Sequence, residues 1–210
     1  MPLAEVRRGL GAGFGNGQAP GLWMTTMGQL AVVQFYQAMI FDGRGYQVRA
    51  GTITTPITAD IVITDTAAEM CADVASGTTL MPCFLQVDIE ALVGTLPQVA
   101  AKSVATVSSA GTAFVPLPLK TDGAAAVSTA RAQSAGAVTV TGELATTTLV
   151  HYIQTLAVAA DTQAIWQPVA APILVGARCF YVQIASVTTG STYFANFDYL
   201  EVPTLLVNPS

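Results

Sequence analysis

The chain of 210 residues is poor in charge: 10% of its residues are charged, 52% are hydrophobic, the net charge is −5 and there is one histidine. Soluble domains usually carry about 25% charged residues, so we expect much of this surface to be covered by other chains. No stretch is long and apolar enough for a membrane-spanning helix, and the eight scattered cations argue against a basic stripe that follows nucleic-acid phosphates.

The segment Met1–Leu22 predicts an extended, flexible arm. Alternate glycines make this backbone costly to order, and their spacing does not fit the GxGxxG phosphate-binding pattern. Arg7 and Arg8 form the only adjacent cationic pair; we expect solvated charges there, with nucleic-acid contact as the alternative. A signal peptide is not expected, because glycines interrupt the apolar run that it needs. The predicted assembly arm consists of Arg7, Arg8, Gly9, Gly11, Gly13, Gly15 and Gly17.

Residues 23–203 predict a single β domain, followed by a short tail at 204–210. In chain order, we expect a strand or short helix at Leu30–Ile40, strands at Tyr46–Thr54 and Thr58–Thr64, a short helix at Ala67–Val74, and strands at Met81–Glu90, Val99–Val107 and Ala113–Leu119. The strand at 81–90 has the clearest period of two, because Cys83, Leu85, Val87 and Ile89 alternate with more polar residues. Pro116 and Pro118 place the strand at 113–119 at an edge.

Small polar residues at 120–137 predict a long surface loop. Strand character resumes at Val138–Ile153, is ambiguous at Ala157–Trp166, and returns at Ile173–Val175, Cys179–Val187 and Tyr193–Val202. The last two strands predict an antiparallel hairpin around 188–191. Many short strands without repeated amphipathic helices indicate an all-β fold, an antiparallel β-sandwich of jelly-roll type.

Titratable residues are too few and too scattered to predict an active site. The candidate acids are Asp60, Asp65, Glu69, Asp73, Asp88, Glu90, Asp198 and Glu201. Asp65, Glu69 and Asp73 step by four, as on one helix face. Asp88 and Glu90 share a strand face at about 7 Å, which suits a solvated face or, as an alternative, a glycosidase-like pair. His151, beside Tyr152, is expected to be a structural hydrogen-bonding group.

The cysteines and aromatic residues likewise favour structural roles. Cys71, Cys83 and Cys179 lack the CxxC spacing of a zinc site and form no even-numbered disulfide framework. Cys83 and Cys179 fit small buried hydrophobic positions and suit a reducing place of synthesis. We therefore expect no enzyme, cofactor or metal site. Exposed aromatic residues would indicate a receptor- or glycan-binding module. The candidates for such a role are Tyr181, Tyr193, Phe197 and Tyr199, although core packing is the favoured interpretation.

One run resembles a pattern in small β-sandwich virion proteins of bacteriophages. The run Gly111-Thr112-Ala113-Phe114-Val115-Pro116-Leu117-Pro118-Leu119 precedes Asp122 and the small residues Ala124–Ala132, and Trp166-Gln167-Pro168 leads into the final strands. The resemblance covers roughly residues 75–202 and leaves the glycine-rich arm unmatched. It implies a structural role in the virion, with no catalytic residues.

Together, these observations predict a virus structural protein, in or on a bacteriophage capsid as a shell or decoration protein. Its expected partners are copies of itself, for example as trimers, and other virion proteins. Its expected location is the virion, after synthesis in the host cytoplasm. The alternative is a receptor- or glycan-binding module of a tail fibre or cell surface.

Overall fold

A computed structural model describes residues 35–61, 63, 66–91, 97–133, 138–143, 148–157, 162–186 and 191–204. The predicted arm, with Arg7, Arg8, Gly9, Gly11, Gly13, Gly15 and Gly17, lies outside the described residues, and so does the tail beyond Thr204. Within the described ranges there are one helix and sixteen strands: α1 Phe35–Phe41, β1 Gly45–Ala50, β2 Ile57–Thr58, β3 Ala67–Ala68, β4 Met70–Val74, β5 Thr78–Ala91, β6 Gln98–Val104, β7 Ser109–Ala110, β8 Thr112–Phe114, β9 Leu117–Pro118, β10 Thr129–Ala132, β11 Val138–Thr139, β12 Leu149–Thr155, β13 Thr162–Trp166, β14 Leu174–Val175, β15 Arg178–Ala185 and β16 Thr192–Pro203.

These strands form two large antiparallel sheets and a small third one. The seven-stranded sheet has the order β13-β5-β16-β1-β9, with β14 beside β5 and β2 beside β16. The six-stranded sheet has the order β12-β6-β15-β4-β10-β8. The small sheet, β3-β11-β7, has three strands. The predicted antiparallel all-β class is therefore confirmed.

The eight main strands pair in a nested order. Strand β1 pairs with β16, β4 with β15, β5 with β13, and β6 with β12. The first main strand thus pairs with the last, the second with the seventh, and so on inward. Successive pairs lie alternately in the seven- and the six-stranded sheet.

The core lies between the two large sheets. Alternate residues of β5 and β16 point into it, including Leu85, Val87 and Phe197, and the six-stranded sheet contributes Val182 and Ile184. This burial confirms the predicted alternation in β5 at Leu85, Val87 and Ile89, while Cys83 is half-buried on the outer face.

A second apolar cluster lies on the other face of the six-stranded sheet. Cys71, Cys179 and Tyr181 pack there against Val138 and Val140 of the segment that forms the small sheet. Part of the six-stranded sheet is therefore buried on both faces.

The helix predicted at Ala67–Val74 is wrong, because this segment forms β3 and β4. All five residues of β4 are buried. Met70, Ala72 and Val74 face the main core, while Cys71 belongs to the second cluster. A strand covered on both faces loses the polar alternation that identifies strands, which explains the error.

The long loop predicted at 120–137 is wrong in part. Residues 129–132 form β10, which pairs with β4 on one side and β8 on the other. The buried side chains Ala130 and Ala132 are small, yet both belong to the main core. Residues 134–137 lie outside the described residues.

The predicted final hairpin is also wrong. Strands β15 and β16 lie in different sheets, and Phe180 contacts Phe197 across the core at a ring-centroid distance of 5.2 Å. A period of two identifies the buried face of a strand but not its neighbour. The predicted edge strand at Ala113–Leu119 is two strands, β8 and β9, which edge different sheets on either side of Pro116.

Candidate functional site

One side of the sandwich ends in two strands with no outer partner among the described residues. Strand β12 ends the six-stranded sheet and β13 ends the seven-stranded sheet. The rings of Tyr152 and Trp166 lie 6.2 Å apart and join the two strands. We call the surface formed by β12 and β13 the open edge.

The two strands of the open edge carry no acidic or basic residue apart from one histidine. Its outward aliphatic side chains are more than half exposed, up to 67% for Ile153. Exposed edge strands usually carry charges or proline to prevent pairing with other chains. The exposed aliphatic residues of the open edge are Leu149, Val150, Ile153 and Ile165.

The opposite side of the sandwich is protected. Strands β8 and β9 are only three and two residues long, and Pro116 and Pro118 remove backbone donors there. A glycine is required where this segment begins: Gly111 has φ +62°, and a Cβ there would lie 2.8 Å from Val138 Cγ2. The two sides therefore differ in their capacity for strand pairing.

A line of stacked rings supports the open edge from within. His151 stacks on Trp166 at 6.4 Å, Trp166 stacks on Phe180 at 6.0 Å, and Phe180 meets Phe197 edge-on. Ser103 Oγ and His151 Nε2 lie 2.8 Å apart, which gives His151 the hydrogen bond expected from the sequence. Burial lowers the pKa of His151 below its ordinary value, so the open edge is uncharged at neutral pH.

Of the predicted acidic groups, Asp60 lies close to Glu69, and the described acids as a whole do not form one site. Asp88 accepts hydrogen bonds from Gln86 Nε2 at 2.8 Å and from Gln163 Nε2, while Glu90 is exposed. Glu69 and Asp73 are buried near opposite ends of β4 rather than along a helix, and Asp65 lies outside the described residues. The contacts of Asp88 with Gln86 and Gln163 fit a hydrogen-bonded surface row on neighbouring strands.

Glu201 is a buried residue that holds two segments together, a role that the spacing of residues in the sequence did not indicate. Its carboxylate accepts hydrogen bonds from Val127 N at 2.8 Å, Ser128 N at 2.9 Å and Ser128 Oγ at 2.5 Å. Ser128 Oγ also lies 2.5 Å from Tyr199 Oη. One carboxylate thus fastens the segment before β10 to β16. Val127 and Ser128 are distant from Glu201 along the chain, which explains why no local pattern reported this contact.

The fold brings together two cysteines and an acid that the sequence separates. Donor atoms of Cys71, Asp73 and Cys179 lie within 4.8 Å of one another. The Asp73 carboxylate already accepts hydrogen bonds from Ser108 N and Oγ, both at 2.7 Å, and Arg131 Nε lies 3.7 Å from it. These residues could offer ligands to a metal ion, and Cys71 and Asp73 already share hydrogen bonds with Ser108.

The aromatic residues considered for ligand stacking are core residues. Tyr181, Tyr193, Phe197 and Tyr199 are all fully buried. They therefore offer no exposed ring for a glycan, which confirms core packing for these positions.

The burial of Glu69 can be tested by measuring how the stability of the fold depends on pH. Burial, followed by the nearby Asp60, raises the pKa of Glu69, although Ile184 N donates a hydrogen bond of 2.6 Å to Glu69 Oε2. The group therefore stabilises the fold below its unfolded pKa of about 4.3, and this stability is lost as pH rises through the higher folded value. We expect the stability of Glu69→Gln to increase relative to that of the natural chain as pH rises above about 4.

Urea unfolding of both proteins at pH 4, 5.5 and 7 measures this difference. If the free energies of unfolding of the two proteins change with pH in the same way, the raised pKa of Glu69 is contradicted. Asp60→Asn serves as the control for the second acid, whose pKa burial also raises.

Comparison with known proteins gives no relative: no family model, no curated protein and no solved structure matches the chain. Among the described residues, no helix is both long and apolar enough to cross a membrane.

Proposed function

We propose that this protein is a structural component of a virus particle, a bacteriophage shell or decoration protein that associates with copies of itself through the open edge. The observation that carries this proposal is the uncharged side formed by β12 and β13, each of which ends its sheet among the described strands. Low overall charge and the resemblance of residues 75–202 to phage virion proteins agree with it.

We further propose that the sandwich is of jelly-roll type. The nested pairing of the eight main strands supports this topology, because a jelly roll is a long antiparallel ladder wrapped into two sheets. Jelly rolls are frequent in viral capsids but also in lectins, so the topology alone does not define the function. The self-association argument therefore rests on the open edge.

Pairing at the open edge would combine two favourable terms. Outward backbone groups of β12 would gain hydrogen-bond partners, as in strand addition. Burial of each large aliphatic side chain contributes about 1.5–3 kcal/mol when it is complete. Strands β12 and β13 carry four such side chains, Leu149, Val150, Ile153 and Ile165, each more than half exposed.

We expect Ile153→Asp to weaken self-association by about a hundredfold. The substitution removes an exposed apolar contact and would bury a carboxylate without a partner at the interface. Sedimentation velocity across a concentration series measures the change. The fold should survive, because the Ile153 side chain is 67% exposed.

Val115→Asp is the matched control, since Val115 is also an exposed aliphatic residue but lies between β8 and β9 on the protected side. It should leave the association unchanged. Equal loss in both variants, or no loss in Ile153→Asp, would contradict an interface at the open edge.

A further inference from the structure

An apolar groove of about 560 Å³ lies on the outer face of the seven-stranded sheet. Its floor includes Met81, Cys83 and Leu200 of β5 and β16. One wall is the start of α1, and the other is the segment 167–171. Phe35 at the rim is 64% exposed, so large apolar surface is left uncovered by the described residues.

A single carboxylate lies in this groove. Asp198 accepts hydrogen bonds from Gln47 Nε2 at 2.9 Å and from Tyr36 Oη at 3.4 Å. Among the described residues it forms no ion pair with a lysine or arginine. Burial raises its pKa, which indicates that its charge lacks full compensation. An occupant with a cation flanked by apolar groups would complement this groove.

The N-terminal arm has that chemistry. Arg7 and Arg8 lie between Val6 and Leu10, and Phe14 follows within the same glycine-rich stretch. Glycines allow the arm backbone to approach a sheet face closely. The first described residue, Phe35, is part of the groove wall, and residues 23–34 separate it from the arm. Twelve residues span up to about 40 Å, enough to pass to an adjacent copy.

We propose that the groove binds the N-terminal arm of a second copy, with the guanidinium of Arg7 or Arg8 at the Asp198 carboxylate and Leu10 and Phe14 on the apolar floor. This inference rests on the proposed self-association and assigns it a second contact, separate from the open edge.

The test places a photoreactive benzoylphenylalanine at Phe14 in the full chain. Unlabelled protein that carries this residue is mixed with ¹⁵N-labelled natural protein and irradiated, and cross-linked peptides are identified by mass spectrometry. We expect unlabelled arm peptides joined to ¹⁵N-labelled peptides that contain residues 81–84, 167–171 or 198–200. Cross-links confined to single chains, or to other surfaces, would overturn the proposal.

Charge variants test the ion pair in the same assay. Asp198→Asn in the labelled partner should lower the cross-link yield about tenfold, as expected when a charge-assisted contact worth about 1.4 kcal/mol is lost. Glu90→Gln, at an exposed acid of the same strand pair, should leave the yield unchanged. Equal yields for Asp198→Asn and the natural chain would overturn the role of Asp198.

Sedimentation velocity on the unirradiated mixtures separates the two proposals. Association without cross-links in the groove would overturn arm binding and leave the open edge intact. Cross-links in the groove that persist in Ile153→Asp would support arm binding as an independent contact. Absence of both association and cross-links would contradict both proposals.

Discussion

Phe180→Ala is expected to lower the free energy of unfolding by about 4 kcal/mol, the largest effect of any single substitution considered. The Phe180 side chain is fully buried between the two large sheets. It contacts Trp166, His151 and Phe197, so its removal leaves a cavity behind the open edge as well as in the core. Chemical denaturation monitored by tryptophan fluorescence measures the loss.

Phe41→Ala is the control, because Phe41 is the same residue type but is 64% exposed. It should change the free energy of unfolding by less than about 0.5 kcal/mol. If both variants lose similar stability, the two-sheet core has been assigned wrongly. Phe180→Ala should also weaken self-association at concentrations where the fold persists, because Trp166 of β13 loses its stacking partner.

Glu201→Ala is expected to cost about 3 kcal/mol of folding stability. The substitution leaves the backbone N–H of Ser128 buried without an acceptor, and it also removes the hydrogen bonds from Val127 N and Ser128 Oγ. A buried donor without a partner costs about 1–3 kcal/mol, and hydrogen bonds to charged groups are the stronger ones. Denaturant unfolding at neutral pH measures the effect.

Two comparisons make this second prediction specific. Glu201→Gln keeps one acceptor oxygen and should lose less stability than Glu201→Ala. Glu90→Ala removes an exposed acid from the neighbouring strand β5 and should be nearly neutral. A small loss in Glu201→Ala would mean that the segment before β10 does not depend on this carboxylate.

The sequence predicted those parts of the fold in which one face of a strand meets water. In β5 the alternation of Leu85, Val87 and Ile89 with polar residues identified both the strand and its buried face. In β4 the pattern failed because both faces are covered, one by the main core and one by the segment of the small sheet. Burial on two faces depends on distant segments, which no local period reports.

For a related reason, local sequence patterns could not predict which strands pair or which polar groups form hydrogen bonds. The pairing of β1 with β16 joins the first described strand to the last, and the Glu201 carboxylate likewise joins segments that are distant in the sequence. Pro116 correctly indicated an edge, but the sequence did not show that the chain changes sheets there. The open edge was likewise not identified from sequence, because the residue pattern of a strand such as β12 does not distinguish an edge position from a central one.

The most direct test of self-association through the open edge is amide hydrogen exchange across a concentration series. In an antiparallel edge strand, roughly half of the backbone N–H groups point away from the sheet. We predict that the outward amides of residues 149–155 exchange quickly in dilute protein and become protected as the copies associate, and that Ile153→Asp removes this protection. Association without any change in exchange at 149–155 would contradict the account.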